Sequence, residues 1–172
     1  MGRRIILGVD AGGTKTVAWL AAAQLGGDFE VLGRGTSGSG NPMCIGRATA
    51  LENVNKAIVS ASANAGLPIS DVAQIVVGMA GAGRVEVQRE VLLRLRQQTA
   101  IKQIDVIPDV ELILPAAFPD CEGIAVISGT GSIVHGVRGN RRTRVGGWGF
   151  RVEDQGSGNW FGQAWKDDRI QY

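Results

Sequence analysis

Histidine, tyrosine and cysteine are nearly absent from this chain. Its 172 residues include one histidine (His135), one tyrosine and two cysteines. Cys44 and Cys121 lie far apart and form no CxxC pair, which argues against a disulfide framework or a zinc site. A Ser-His-Asp triad would have to use His135, and no GxSxG motif supports one. An excess of one charge is missing too. Eighteen basic residues stand against 16 acidic ones, so no strong field marks the chain for nucleic acid or an anionic membrane. The longest apolar run, Val17–Ala23, falls far below the ~20 residues that span a bilayer. Met1-Gly2-Arg3-Arg4 has the basic start of a signal peptide, but the apolar run after it stops at Asp10, and Ile6 breaks the acylation pattern. The expectation is a reduced, soluble, cytoplasmic protein with no nucleic-acid and no membrane partner.

Glycine is what the chain has in plenty. Its 26 glycines are about twice the usual share of ~7%, while proline is low at five. That balance points to tight turns or close ligand approach in a folded protein, which the length allows to be one domain or slightly more.

Ile5–Val9 reads as a buried strand, Asp10–Thr14 as a turn and Val17–Ala23 as a second strand; Gly26-Gly27-Asp28 then turns the chain into a third strand, Phe29–Gly33. The period changes at Leu51, Val54, Ile58, Ala61 and Ala65, one face of an amphipathic helix stopped by Gly66. Gln74–Ala80 is a strand, Val87, Val91, Leu92 and Leu95 mark a helix, Gln103–Ile107 is a strand, and Pro108-Asp109 opens a third helix. The predicted order is β-β-β-α-β-α-β-α, a mixed α/β lobe over residues 1–120. From Cys121 the pattern restarts, with strands at Ile124–Ile127, Ile133–Val137 and Arg142–Val145 and a helix from Asp154 through Trp165. Residues 121–172 thus read as an incomplete second lobe of the same kind.

Gly8-Val9-Asp10-Ala11-Gly12-Gly13-Thr14-Lys15-Thr16 joins two strands. Its glycines let backbone N–H groups approach a phosphate, Thr14 adds a hydroxyl donor, and Asp10 suits a hydrated Mg²⁺. The bland alternative is a hairpin turn. Ser128-Gly129-Thr130-Gly131-Ser132 repeats the strand–turn–strand design in the second half, and two such loops heading two similar lobes would face each other across a cleft. Asp109 follows a strand and heads a helix, so it reads either as an N-cap or as a base at the carboxyl end of a strand. Asp154, before Gly156-Ser157-Gly158, carries the same two readings.

Other features read as structural. Gly33-Arg34-Gly35-Thr36-Ser37-Gly38 spells GxGxxG, but Ser39-Gly40-Asn41-Pro42 extends the loop where a helix should open, which rejects a dinucleotide fingerprint. Arg138, Arg141, Arg142 and Arg144 cluster on a hairpin without interleaved aromatics, the pattern of a solvated surface. Trp160 and Trp165 are expected in the core, Trp148 among glycines is expected to line a pocket, and His135 is expected to be structural.

Taken together, Gly8–Thr16, Asp109, Ser128–Ser132 and the run Gly146-Gly147-Trp148-Gly149…Asp154-Gln155-Gly156-Ser157-Gly158 resemble the BadF/BadG/BcrA/BcrD-type ATPase family, and within it the N-acetylglucosamine and glucosamine kinases of the actin–hexokinase fold. The resemblance covers residues 5 to about 163. It implies two ribonuclease-H-like (actin-like ATPase) lobes with ATP and sugar in the cleft between them. On that resemblance Asp10 would serve the Mg²⁺ site. Gly12, Gly13, Thr14 and Lys15 would lie at the ATP phosphates, and Gly129, Thr130 and Gly131 would form a second phosphate loop. Asp109 would be the catalytic base, and Asn41, Gly147, Trp148 and Asp154 would contact the sugar. The implied activity is ATP-dependent phosphorylation of glucosamine or N-acetylglucosamine at the 6-hydroxyl.

Three departures qualify the resemblance. The sugar motif commonly reads Gly-Asp-Glu-Gly-Ser, whereas here it is Glu153-Asp154-Gln155-Gly156-Ser157, a form more like the glucosamine kinases. Pro108 stands where Asn or Thr usually precedes the base. Members run to roughly twice this length, so a truncated or frameshifted product is expected, and an unfinished lobe would expose apolar strand edges that favour a homodimer or aggregation. Two other functions compete: a non-catalytic, sugar-binding fragment, and an ATPase that activates a CoA-linked dehydratase through an iron–sulfur cluster. The latter lacks the cysteine pair it would need.

Overall fold

A computed structural model describes residues 3–23, 28–149 and 154–168. The Gly26-Gly27 part of the expected turn and Glu153 of the sugar motif lie outside the described residues. The chain divides into two compact units, Met1–Asp109 and Val110–Tyr172.

In the first unit β1 (Arg4–Ala11), β2 (Thr16–Ala23) and β3 (Phe29–Ser37) form an antiparallel meander. The short α1 (Pro42–Ile45) and the long α2 (Arg47–Ala65) follow, then β4 (Gln74–Met79), α3 (Val85–Gln98) and β5 (Gln103–Pro108). The sheet order is β3-β2-β1-β4-β5, with β4 parallel to β1 and β5 parallel to β4. Apolar residues of β1 (Leu7, Val9) and β4 (Ile75, Val77) share the core with Val54, Ile58 and Ala61 of α2. Parallel crossovers carry the chain back each time, so β1, β4 and β5 end at one edge of the sheet. There Ala11, Met79 and Pro108 stand side by side.

β3 runs four residues beyond the expected end at Gly33, through Arg34, Gly35, Thr36 and Ser37. The glycines that suggested a loop belong to the strand because α2 crosses it at very short range. A Cβ at Gly33 would lie 2.3 Å from the Ala61 carbonyl oxygen, and one at Gly35 would lie 2.0 Å from that of Ala57. The GxGxxG spelling is therefore a helix-packing surface.

Asp109 opens a 3₁₀ turn (Asp109–Leu112) that leads into the second unit, which holds α4 (Ile113–Ala117), β6 (Gly123–Ser128), β7 (Ser132–Arg138), β8 (Arg141–Gly146) and α5 (Gly158–Asp168). β6, β7 and β8 form an antiparallel sheet in chain order. Val110 and Leu114 pack against Ala125 of β6. Residues 110–120 thus group with the strands that follow, whereas the sequence reading placed the division at 120/121. Successive residues of a strand face opposite sides. Ala125 and His135 lie on the covered side, and both are buried. Ile124, Val126 and Val145 share the other side, where each is more than half exposed.

Two expectations fail in α5. The helix begins at Gly158, four residues after Asp154, because the Ser157 hydroxyl accepts the Trp160 N–H at 3.1 Å and caps it. Trp160 and Trp165 are exposed on this helix and do not enter the core. Among the described residues the core clusters are formed by side chains from other elements.

Candidate nucleotide and sugar site

In the first unit the candidate residues gather where β1, β4 and β5 end. Asp10 is the penultimate residue of β1, paired with Val17 across the hairpin. Gly12, Gly13, Thr14 and Lys15 close that hairpin, with the Gly12 N–H donating to the Lys15 carbonyl at 2.9 Å. Thr14 and Lys15 are exposed. Asp109 follows directly on β5, one residue past the row formed by Ala11, Met79 and Pro108. Since β4 alone separates β1 from β5, the strands bearing Asp10 and Asp109 run about 10 Å apart.

Asp10 reaches solvent, yet the protein around it penalises the charged form and raises its pKa, while the nearby Lys15 cation pulls it part of the way back. A carboxylate that the protein under-compensates is one that a cation would stabilise. Among the described residues no group of three or more His, Cys, Asp or Glu is placed to enclose a metal. A single carboxylate fits Mg²⁺ in a nucleotide complex, where phosphate and water supply the other ligands.

Asn41 sits beside the same turn. The Ser39–Asn41 segment is tied to it by the Gly40 N–H, which donates to the Gly12 carbonyl at 2.9 Å. The buried Thr16 hydroxyl donates to the Gly38 carbonyl at 2.9 Å. Gly40 is required here, since a Cβ would come within 2.5 Å of the Ala11 Cβ. The Asn41 Oδ1 accepts the Met43 N–H at 2.9 Å and caps α1. A Cβ at Gly81, in the turn after β4, would lie 2.8 Å from that oxygen. Ser39, Gly40 and Gly81 are supports that the sequence reading did not assign. The one signal for Gly81 was its place just after a buried strand.

In the second unit Gly129, Thr130 and Gly131 turn the chain between β6 and β7, and the Asp154–Gly158 segment lies against them. The Ser128 hydroxyl donates to the Gly156 carbonyl at 2.8 Å and the Ser132 hydroxyl to the Gln155 carbonyl at 2.7 Å. The Gly158 N–H donates to the Gly129 carbonyl at 2.8 Å. Asp154 is buried; its Oδ1 accepts the Gly149 N–H at 3.3 Å, and its Oδ2 would lie 3.0 Å from a Cβ at Gly131. Gly131, Gly149 and Asp154 are therefore neighbours. Gly147 and Trp148 occupy the same short turn, and Trp148 is 63% exposed.

A sequence model of the BadF/BadG/BcrA/BcrD ATPase family matches residues 7–165. The chain belongs to that family. It is 31% identical over 156 residues to an N-acetylmuramic acid/N-acetylglucosamine kinase of Clostridium acetobutylicum, covering 90% of this chain and 50% of that protein. It is 35% identical over 153 residues to a glucosamine kinase of Vibrio cholerae, covering 88% of this chain and 50% of that one. The chain spans about half the length of the curated relatives it matches. Its fold matches the crystal structure of a Chromobacterium violaceum protein provisionally assigned as an N-acetylglucosamine kinase, with a TM-score of 0.74, 28% identity, and coverage of 94% of this chain and 55% of that one. The corresponding Porphyromonas gingivalis protein matches with a TM-score of 0.71, 26% identity, and coverage of 96% and 56%. These likenesses bear out the mixed α/β, actin-like ATPase architecture read from the sequence. No helix among the described residues is long and apolar enough to cross a membrane.

Proposed function

We propose that these residues belong to an ATP-dependent amino-sugar kinase acting on glucosamine or N-acetylglucosamine at the 6-hydroxyl. The observation that carries the reading is the placement of Asp109 at the sheet edge that also carries Asp10 and the Gly12–Lys15 turn. Family membership and the names of the two curated relatives support it.

Phosphoryl transfer asks a protein mainly to position groups and offset charge, with one base. Asp109 takes the proton of the sugar hydroxyl, and the freed oxygen attacks the γ-phosphorus. The bond from that phosphorus to the β–γ bridging oxygen breaks, and ADP departs with the electron pair. The backbone N–H of Gly13, the Thr14 hydroxyl and the Lys15 ammonium serve the phosphates, as do the backbone N–H groups of Thr130 and Gly131, while Gly12 and Gly129 shape the two phosphate turns through N–H groups that donate to the Lys15 and Gly131 carbonyls. Asp10 would hold Mg²⁺, which offsets phosphate charge when bound. Asn41, Gly147, Trp148 and Asp154 serve the sugar. The Asp154-Gln155 form resembles that of the glucosamine kinases, which favours glucosamine over its N-acetyl form.

A second reading is a sugar-binding chain without turnover, in which the exposed apolar side of the β6–β8 sheet at Ile124, Val126 and Val145 serves association rather than catalysis. A surface of that kind also supports a homodimer, which light scattering measures. The dehydratase-activator alternative has no support of comparable weight. A reductive activator of a corrinoid iron–sulfur protein shares the fold at 15% identity and a TM-score of 0.55.

Titration calorimetry with each sugar, beside a coupled ADP-release assay, separates the readings. Sugar-dependent ADP release supports the kinase. Sugar binding without release supports the second reading, and binding of neither sugar nor Mg·ATP overturns both.

A further inference from the structure

Of the four arginines on the β7–β8 hairpin, Arg142 lies 3.6 Å from Glu111, whereas Arg144 turns onto the backbone that follows it. Its Nε donates to the Gly146 carbonyl at 3.0 Å, its Nη2 donates to the Gly147 carbonyl, and its guanidinium carbon stands 4.4 Å from the centre of the Trp148 ring. One side chain thus touches three successive residues. Gly146 and Gly147 have φ of 71° and 74°, and this pair of left-handed residues lets one planar fork reach both carbonyls. Below, a Cβ at Gly147 would lie 2.9 Å from Ile133, so the turn is held from two sides.

We propose that Arg144 is the positioning residue of the Gly146–Gly147–Trp148 turn and thereby sets the affinity for the amino sugar, a role that rests on the sugar-kinase reading. The guanidinium occupies one face of the Trp148 indole by cation–π attraction and leaves the other face for the apolar side of a sugar ring. Its fork fixes where the Gly147 backbone stands. A lysine would keep the charge and lose the planar two-carbonyl contact, so the Arg–Lys exchange is not conservative here.

The test compares wild type with Arg144→Lys and Arg144→Met in three readouts: hydrogen exchange of residues 146–149 without sugar, the Kd for glucosamine and for N-acetylglucosamine, and the Kd for Mg·ADP. Both variants should speed exchange at 146–149 and weaken sugar binding about tenfold, the scale of one lost charge-assisted hydrogen bond. Mg·ADP affinity should fall less than sugar affinity, because the contacts of Arg144 go to Gly146, Gly147 and Trp148 rather than to the Gly129–Gly131 loop. Lysine at this position restoring wild-type exchange and sugar affinity would overturn the proposal, as would equal exchange in all three proteins. A wild type that binds neither sugar defeats the functional reading and the affinity claim resting on it. The exchange rates then still decide whether Arg144 positions the turn.

Discussion

The Ser132 hydroxyl donates to the Gln155 carbonyl at 2.7 Å, and this contact joins a loop proposed for phosphate to the turn that carries Asp154. Ser128 makes the matching contact to Gly156 at 2.8 Å, and the backbone closes a third between Gly158 and Gly129. Loop and turn are therefore one structural body, and whatever orders one acts on the other.

Replacing Ser128 and Ser132 together by alanine should cost about 1 kcal/mol or less per hydrogen bond, since both contacts are partly solvated. Nucleotide and sugar affinities should fall together. Calorimetry on the double variant checks this; a loss confined to one ligand contradicts the coupling.

Gly35→Ala should destabilise the first unit by at least about 3 kcal/mol, because the new methyl would meet the Ala57 carbonyl at 2.0 Å and rigid backbone cannot yield as a side chain can. Gly139→Ala, where a Cβ meets nothing within 4 Å, should cost less, its penalty coming from a φ of 56°. Chemical denaturation of the two variants gives the comparison.

Burial raises the Asp10 carboxyl above the ordinary value of 3.8, so the folded chain binds that proton more tightly than the unfolded chain. The group's contribution to stability falls as pH rises through the window between those two values, and the full penalty stands above it. Asp10→Asn should therefore melt higher than wild type at neutral pH, the effect being reduced by solvent access. The gain should vanish at pH values below 3.8. Thermal melts across pH measure it, and a gain that persists unchanged in acid contradicts the assignment.

Asp109→Asn should lower sugar-dependent turnover by about 100- to 10,000-fold, the usual worth of a positioned base. Sugar affinity should hold within a few-fold. Turnover equal to wild type removes Asp109 from the mechanism.

Much of the fold was legible because its elements carry unmixed periods. Ile5–Val9 and Ile75–Ala80 are continuous apolar runs, and Leu51 to Ala65 keep helical spacing along α2. The end of β3 was not legible, because Gly33 and Gly35 look like loop residues until α2 lies on them. The start of α5 was misread because Asp154 and Ser157 are both good caps, and the helix uses Ser157. The candidate residues were found as motifs on turns. Their supports Ser39, Gly40, Gly81 and Arg144 act through contacts that spacing does not encode, and Arg144 in particular looked like one more solvated charge on a basic hairpin.

The central claim is tested most directly by phosphorus NMR of this chain incubated with Mg·ATP and glucosamine, with N-acetylglucosamine in a parallel sample. The account predicts a sugar phosphomonoester signal that grows in step with ADP and needs the sugar to appear. ADP accompanied by inorganic phosphate alone, with no sugar phosphate from either sample, would contradict it.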